Sequence, residues 1–163
     1  MFDKFGEFDS AEEINTAAAA QLQEGDTDAI MTIAEENGID KEDAEDYIDG
    51  VVTELANNIM AAMGKLDIEE KDLKPYEIMC DWISYIRIQC EDNEEMAIAV
   101  RRKGKSLRGC IAYLLKWSFA NQHEIPADIL KAAGVSVSRV TMGIPGMGTA
   151  KKLIMEYYGG DQK

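Results

Sequence analysis

The spacing of apolar residues after Ser106 constrains this chain more than any other feature. Leu107, Cys110, Ile111, Leu114, Leu115 and Ser118 recur at i, i+3, i+4, i+7 and i+8, the period of one helix face. Ser106 is suited to cap that helix, because a serine oxygen accepts from a free first-turn amide. A basic run, Arg101-Arg102-Lys103-Gly104-Lys105, leads into it. Lys105, Arg108, Ala112 and Lys116 predict a basic stripe on a second face, with Tyr113 and Trp117 as an aromatic flank. The same period recurs on both sides of this stretch and strand-like alternation is nearly absent. The predicted fold class is therefore all-α: a compact helical domain of seven to eight helices with at most one short strand.

In chain order, Ser10-Ala11-Glu12-Glu13 is a capping box opening an alanine-rich helix that Gly25 ends. Asp26 or Asp28 caps a second helix, stopped by Asn37-Gly38. Asp40 caps a third, carrying Ala44, Tyr47, Val51, Leu55 and Ile59 to Gly64, with Gly50 inside it as a bend, a break or a close approach. Residues 67–74 read as a charged connection with or without a helical turn, and Pro75 as the first residue of a helix reaching Cys90. Asp92 or Asn93 caps a short helix to Arg102, and Pro126 opens one ending at Gly134. Val135-Ser136-Val137-Ser138-Arg139-Val140 is a short strand or an extended loop, and a last helix runs from about Thr149 through Tyr157. This divides the chain into an acidic helical region, residues 1–64, and a helical region with the basic cluster, residues 65–163, as two units or one continuous domain.

The 163 residues suffice for one compact domain, and their net charge of −14 is unevenly placed. Up to Ala99 there are 6 basic and 27 acidic residues; from Val100 there are 11 and 4. An acidic half of this density repels nucleic acid and attracts basic surfaces. Glu42, Asp43, Glu45, Asp46 and Asp49 are its candidate partner-binding face, the alternative being a solvated face that only keeps the protein in solution. Arg101, Arg102, Lys103, Lys105, Arg108 and Lys116 form a candidate basic contact that would bind phosphates, with Tyr113 and Trp117 stacking on bases. Internal pairing with the acidic half, and aromatics packed in the core, are the competing expectations.

No catalytic, metal or cofactor set can be assembled from these residues, which predicts a protein that is not an enzyme. His123 is the only histidine, which removes HExxH zinc sites and most histidine-dependent triads. A calcium loop starting at Asp40 would need glycine sixth and glutamate twelfth, where Glu45 and Val51 stand. Gly143 and Gly148 have phosphate-loop spacing, but Thr149-Ala150 replaces the required lysine and hydroxyl residue. Cys80, Cys90 and Cys110 are scattered, as expected of reduced, buried thiols. No apolar run approaches the roughly 18–20 residues that span a bilayer, and the start Met1-Phe2-Asp3-Lys4 lacks the features of a signal peptide. A cytoplasmic protein is the expectation.

The segment Ser106-Leu107-Arg108-Gly109-Cys110-Ile111-Ala112-Tyr113-Leu114-Leu115, followed some forty residues on by Lys152-Leu153-Ile154-Met155-Glu156-Tyr157-Tyr158, resembles the PcfK-like family. Phe2-Asp3-Lys4-Phe5-Gly6-Glu7-Phe8 and Glu35-Glu36-Asn37-Gly38-Ile39-Asp40 resemble longer members of the same group. These are small proteins of conjugative elements and phages in Gram-positive bacteria, and they include an anti-CRISPR that inhibits Cas9. The resemblance implies a helical protein whose partner is a Cas9-type nuclease or its guide complex, acting in a bacterial host cell. An accessory nucleic-acid-binding protein of a mobile element is the alternative. A homodimer through exposed Met and Trp side chains is a third.

Overall fold

The computed structural model describes residues 4–160, so Met1, Phe2 and Asp3, part of the N-terminal resemblance and of the leader reading, lie outside the described residues. The chain is all-α. Its helices are α1 (Ala11–Glu24), α2 (Thr27–Glu36), α3 (Lys41–Ile48), α4 (Asn58–Leu73), α5 (Ile78–Asp92), α6 (Glu94–Arg101), α7 (Leu107–Ala120), α8 (Ala127–Ala132) and α9 (Met147–Gly159). Two two-residue strands, β1 (His123–Glu124) and β2 (Thr141–Met142), pair antiparallel before and after α8.

Most helices start where a short polar side chain can accept from the first turn. Ser10 accepts from Glu13 N at 3.1 Å, Asp26 from Ala29 N at 2.9 Å, Asn93 from Glu95 N at 3.0 Å and Ser106 from Gly109 N at 3.0 Å. Each such cap contributes about 1 kcal/mol. Three expected elements differ. The long third helix is two helices, because the chain turns at Gly50 (φ 74°) and Asn57 caps a new start, its side chain accepting from Met60 N at 2.8 Å. Between them Leu55 and Ala56 are buried, held by Asn15, which donates to Ala56 O at 2.8 Å and accepts from Ala56 N at 3.0 Å. The expected connection at residues 67–74 is the second half of α4, so Gly64 lies inside a helix instead of ending one. Pro75 precedes α5 rather than opening it, and residues 135–140 are the extended loop of the two alternatives, with the strand beyond them at Thr141–Met142.

Gly64 permits a close crossing. A Cβ on it would come closer than 3.0 Å to Asn37 O, and one on Gly38 (φ +71°) would strike the Gly64 backbone in return. The end of α2 therefore rests directly on α4. The two halves of α4 serve different cores. Ala61 packs with Ile14, Ile30, Ile33, Ala44 and Tyr47 of the first helices. One residue on, Ala62, and a turn later Leu66, pack with Trp82, Ile83, Ile86, Val100, Leu107, Leu114 and Ile154. Arg101 and Lys65 are buried polar residues of α6 and α4, the two helices that run together through this crossing.

Candidate partner-binding surfaces

α3 presents its acids outward because its apolar residues are spaced to go in. Ala44 and Tyr47 are buried, whereas Glu42, Glu45, Asp46 and Asp49 are exposed and Asp43 is half-buried. Glu42, Asp46 and Asp49, at three- and four-residue spacing, share a face. Glu45 pairs with Lys41 of the same helix at 3.2 Å, both well exposed, and a pair of this kind contributes roughly 0–1 kcal/mol. Among the described residues, no ion pair or side-chain hydrogen bond joins these five to a base of the C-terminal half.

The expected basic cluster is divided. Arg101 is 2% exposed and Lys105 8%, so neither offers its charge to an outside phosphate. The physical reason is that backbone carbonyls already use both cations. Arg101 donates from Nε to Phe8 O at 2.9 Å, from Nη1 to Ala61 O at 3.2 Å and from Nη2 to Asn37 Oδ1. Lys105 donates to Tyr157 O at 2.7 Å and lies over the Tyr157 ring at 5.0 Å. Lys103 is exposed and Arg102 half-buried, while Arg108 is exposed and bonded to Asp72 at 2.9 Å. Lys116 is exposed one turn beyond Tyr113.

Lys65 is the polar residue that the sequence pattern does not announce. Its ammonium group donates to Arg102 O and Lys105 O at 2.6 Å each and to Arg101 O at 3.3 Å, and lies 3.3 Å from Glu7. Arg101 and Arg102 lie at the end of α6, where a helix leaves its last carbonyls partially negative, and Lys105 O lies in the turn leading to α7. Burial lowers the Lys65 pKa, and Glu69 and Glu7 offset part of that shift. Burial likewise lowers that of Arg101, which stays charged at any ordinary pH. Glu69, whose carboxylate accepts from Leu107 N at 2.9 Å at the start of α7, is raised by burial.

A different basic surface is present on α9. Tyr85, Tyr113, Lys151, Lys152, Met155 and Glu156 line an open groove of about 770 Å³. Lys151 lies 5.3 Å from the Tyr85 ring centre, and Tyr113 donates to Glu156 at 3.2 Å. The sequence signal was the adjacent pair Lys151-Lys152; what it lacked was the packing of α9 on α5 and α7, which brings the two tyrosines to it.

The motif residues behind the family resemblance touch one another. Ser106 N donates to Tyr157 OH at 3.1 Å, and a Cβ on Gly109 would collide with that hydroxyl. Tyr158 is buried in the same core as Cys110. Cys90 and Cys110 are buried with their thiol pKa values pushed up to about 12, but Cys80 is exposed, contrary to expectation. Among the described residues no His, Cys, Asp and Glu groups are placed to hold a metal ion, and no helix is long and apolar enough to cross a membrane. Compared with protein families, with curated proteins and with solved structures, the chain finds no match.

Proposed function

We propose that this chain is a non-enzymatic anti-CRISPR protein that binds a Cas9-type RNA-guided nuclease, or its guide complex, in the cytoplasm of a bacterial host. The target follows from the likeness to the PcfK-like family. The mode of binding follows from one observation, the carboxylates of α3, four of them exposed, of which among the described residues only Glu45 is paired with a base, the neighbouring Lys41. Residues 42–49 carry five carboxylates over roughly 11 Å of helix, about one per 2 Å. Duplex DNA carries a charge per roughly 1.7 Å and a single strand one per roughly 3.4 Å of axis. The helix thus offers a nucleic-acid-like charge density to a cationic channel built for a heteroduplex, or to the arginines that read a PAM.

The test is capture of guide-free and guide-loaded Cas9, followed by a cleavage assay, with wild type and a variant carrying Glu42→Lys, Asp43→Lys, Asp46→Lys and Asp49→Lys. Loss of capture and inhibition with unchanged circular dichroism is expected. Two of these acids lie in the first turn of α3, where each favours the helix by about 0.3–1 kcal/mol, so the spectrum is a necessary control. Full inhibition by the folded variant would remove the mimicry mechanism.

A second reading has its own support in the groove of Tyr85, Tyr113, Lys151 and Lys152: an accessory nucleic-acid-binding protein of a conjugative element or phage. Lysines flanked by aromatic rings suit phosphates and unpaired bases. In the same experiment, salt-sensitive binding of single-stranded DNA or RNA that survives the α3 changes but is lost with Lys151→Glu and Lys152→Glu would favour it.

A further inference from the structure

Of the sixteen large hydrophobic side chains exposed among the described residues, nine fall within residues 113–147, a concentration that scattered surface apolarity does not produce. Leu115 and Phe119, one turn apart on α7, are 53% and 74% exposed. Beyond them Ile129 is 53% exposed, Val137 54%, Met142 59% and Ile144 62%. α8, in the middle of this arm, buries none of its residues. The arm is held at its base: Gly143 fits so closely against Ser118 O and Gln122 that a Cβ would collide with both. That contact brings Met142 and Ile144, its neighbours in the chain, to the end of α7 that carries Phe119. A two-stranded sheet of this size is marginal in water without a further layer, and no core cluster among the described residues includes it.

We infer that the arm, residues 115–147, is the self-association surface of a homodimer, and that the missing layer is a second copy of the arm. Area is the first argument. If a large side chain spans about 150–250 Å², the exposed fractions sum to on the order of 800 Å², the share each partner gives to a standard interface and more than the roughly 300–600 Å² of the largest patch on a typical monomer. Charge is the second. Two copies carrying −14 each repel, yet the arm is nearly neutral: Glu124 and Asp128 stand against Lys116, Lys131 and Arg139, with Glu124 and Arg139 paired at 3.3 Å. Copies meeting here do not set carboxylate against carboxylate. A cationic partner drawn to α3 would find no excess of acids to attract it on this apolar surface. The expected Met and Trp contact is corrected in one respect: Met142 and Met147 are exposed, whereas Trp82 is buried and Trp117 half-buried. The interface is isologous, each arm meeting its own copy across a two-fold axis.

Size-exclusion chromatography with light scattering on the full chain tests this. A mass twice 18.1 kDa is expected, halving on dilution and halving in a Phe119→Lys, Ile144→Lys double variant of unchanged helicity. Val51→Lys, at an equally exposed site outside the arm (70%), is expected to leave the mass unchanged. A monomer at the highest soluble concentration, a dimer that persists in the double variant, equal loss in Val51→Lys, or a mass rising past two copies would each overturn the inference.

Discussion

The crossing of α4 with α6 and the arm after α7 invert the usual placement of polarity in opposite directions. At the crossing, Lys65 and Arg101 are buried to within 4% and 2% exposure, where a hydrophobic seam would be ordinary. On the arm, side chains as large as Phe119 and Ile144 remain in solvent, where charge would be ordinary. The difference lies in what the chain supplies within reach. The end of α6 and the turn after it bring three carbonyls to Lys65, and Phe8, Asn37 and Ala61 bring three acceptors to Arg101. Burying each cation costs several kcal/mol, and hydrogen bonds to charged groups return about 1.5–3 kcal/mol apiece, so a fully bonded cation is tolerated. Among the described residues nothing comparable closes over the arm. One inversion is completed inside the chain, and the other is left for a second molecule.

Removing a cation from the crossing should have the largest effect. Arg101→Ala removes the guanidinium that Phe8 O, Ala61 O and Asn37 Oδ1 share and separates the N-terminal segment from α4. A loss of about 3–5 kcal/mol is expected, measured as a fall in the urea midpoint. Arg101→Lys keeps the charge without the planar fork and should recover only part. Val137→Ala on the arm should change the dilute monomer by no more than about 0.5 kcal/mol. Equal losses at the two sites would break the comparison.

A smaller loss is expected where backbone meets backbone. Gly64→Ala pushes a methyl into Asn37 O, and neither α2 nor α4 can yield without moving a core. Overpacking of this kind costs about 1–3 kcal/mol. Gly104→Ala, with open space around it, should stay within about 0.5 kcal/mol. Thermal denaturation of the two variants side by side separates the close crossing from a general aversion to replacing glycine.

Gly64 and the basic run of Arg101 and Lys105 mark how far the sequence could be read. Local signals were legible: the caps at Ser10, Asn93 and Ser106, and the buried positions Leu107, Cys110 and Leu114 of α7. Gly64 resembles a helix stop because glycine commonly ends helices, and only the approach of Gly38, distant in sequence, shows it to be a crossing point. Arg101 and Lys105 sit in a run of bases, and a run of bases reads as surface. Their carbonyl partners come from Phe8, Ala61 and Tyr157, which no local pattern connects to them. The α3 acids were legible as a row because Ala44 and Tyr47 fix which way that helix faces. The groove of Lys151 and Tyr85 was not, since its two sides lie on separate helices.

The smallest expected effect sharpens the comparison through pH. Glu69 borders the buried cations, accepts from Leu107 N at 2.9 Å, and is raised above its ordinary 4.5 because burial outweighs that bond and the charge of Lys65. A carboxyl group raised on folding holds its proton more tightly in the native state than in the unfolded chain. Its stabilising contribution is therefore fully present below pH 4.5 and is lost as the pH rises through the folded value. Glu69→Gln keeps an acceptor for Leu107 N but carries no titrating proton. Urea unfolding of both proteins from neutral pH downward should show wild type gaining stability relative to the variant as the solution is acidified. The other carboxylates titrate in both proteins and cancel in the difference. The opposite slope would mean that the bond to Leu107 and the charge of Lys65 outweigh burial, and that the crossing behaves as a solvated site instead of a sealed polar joint.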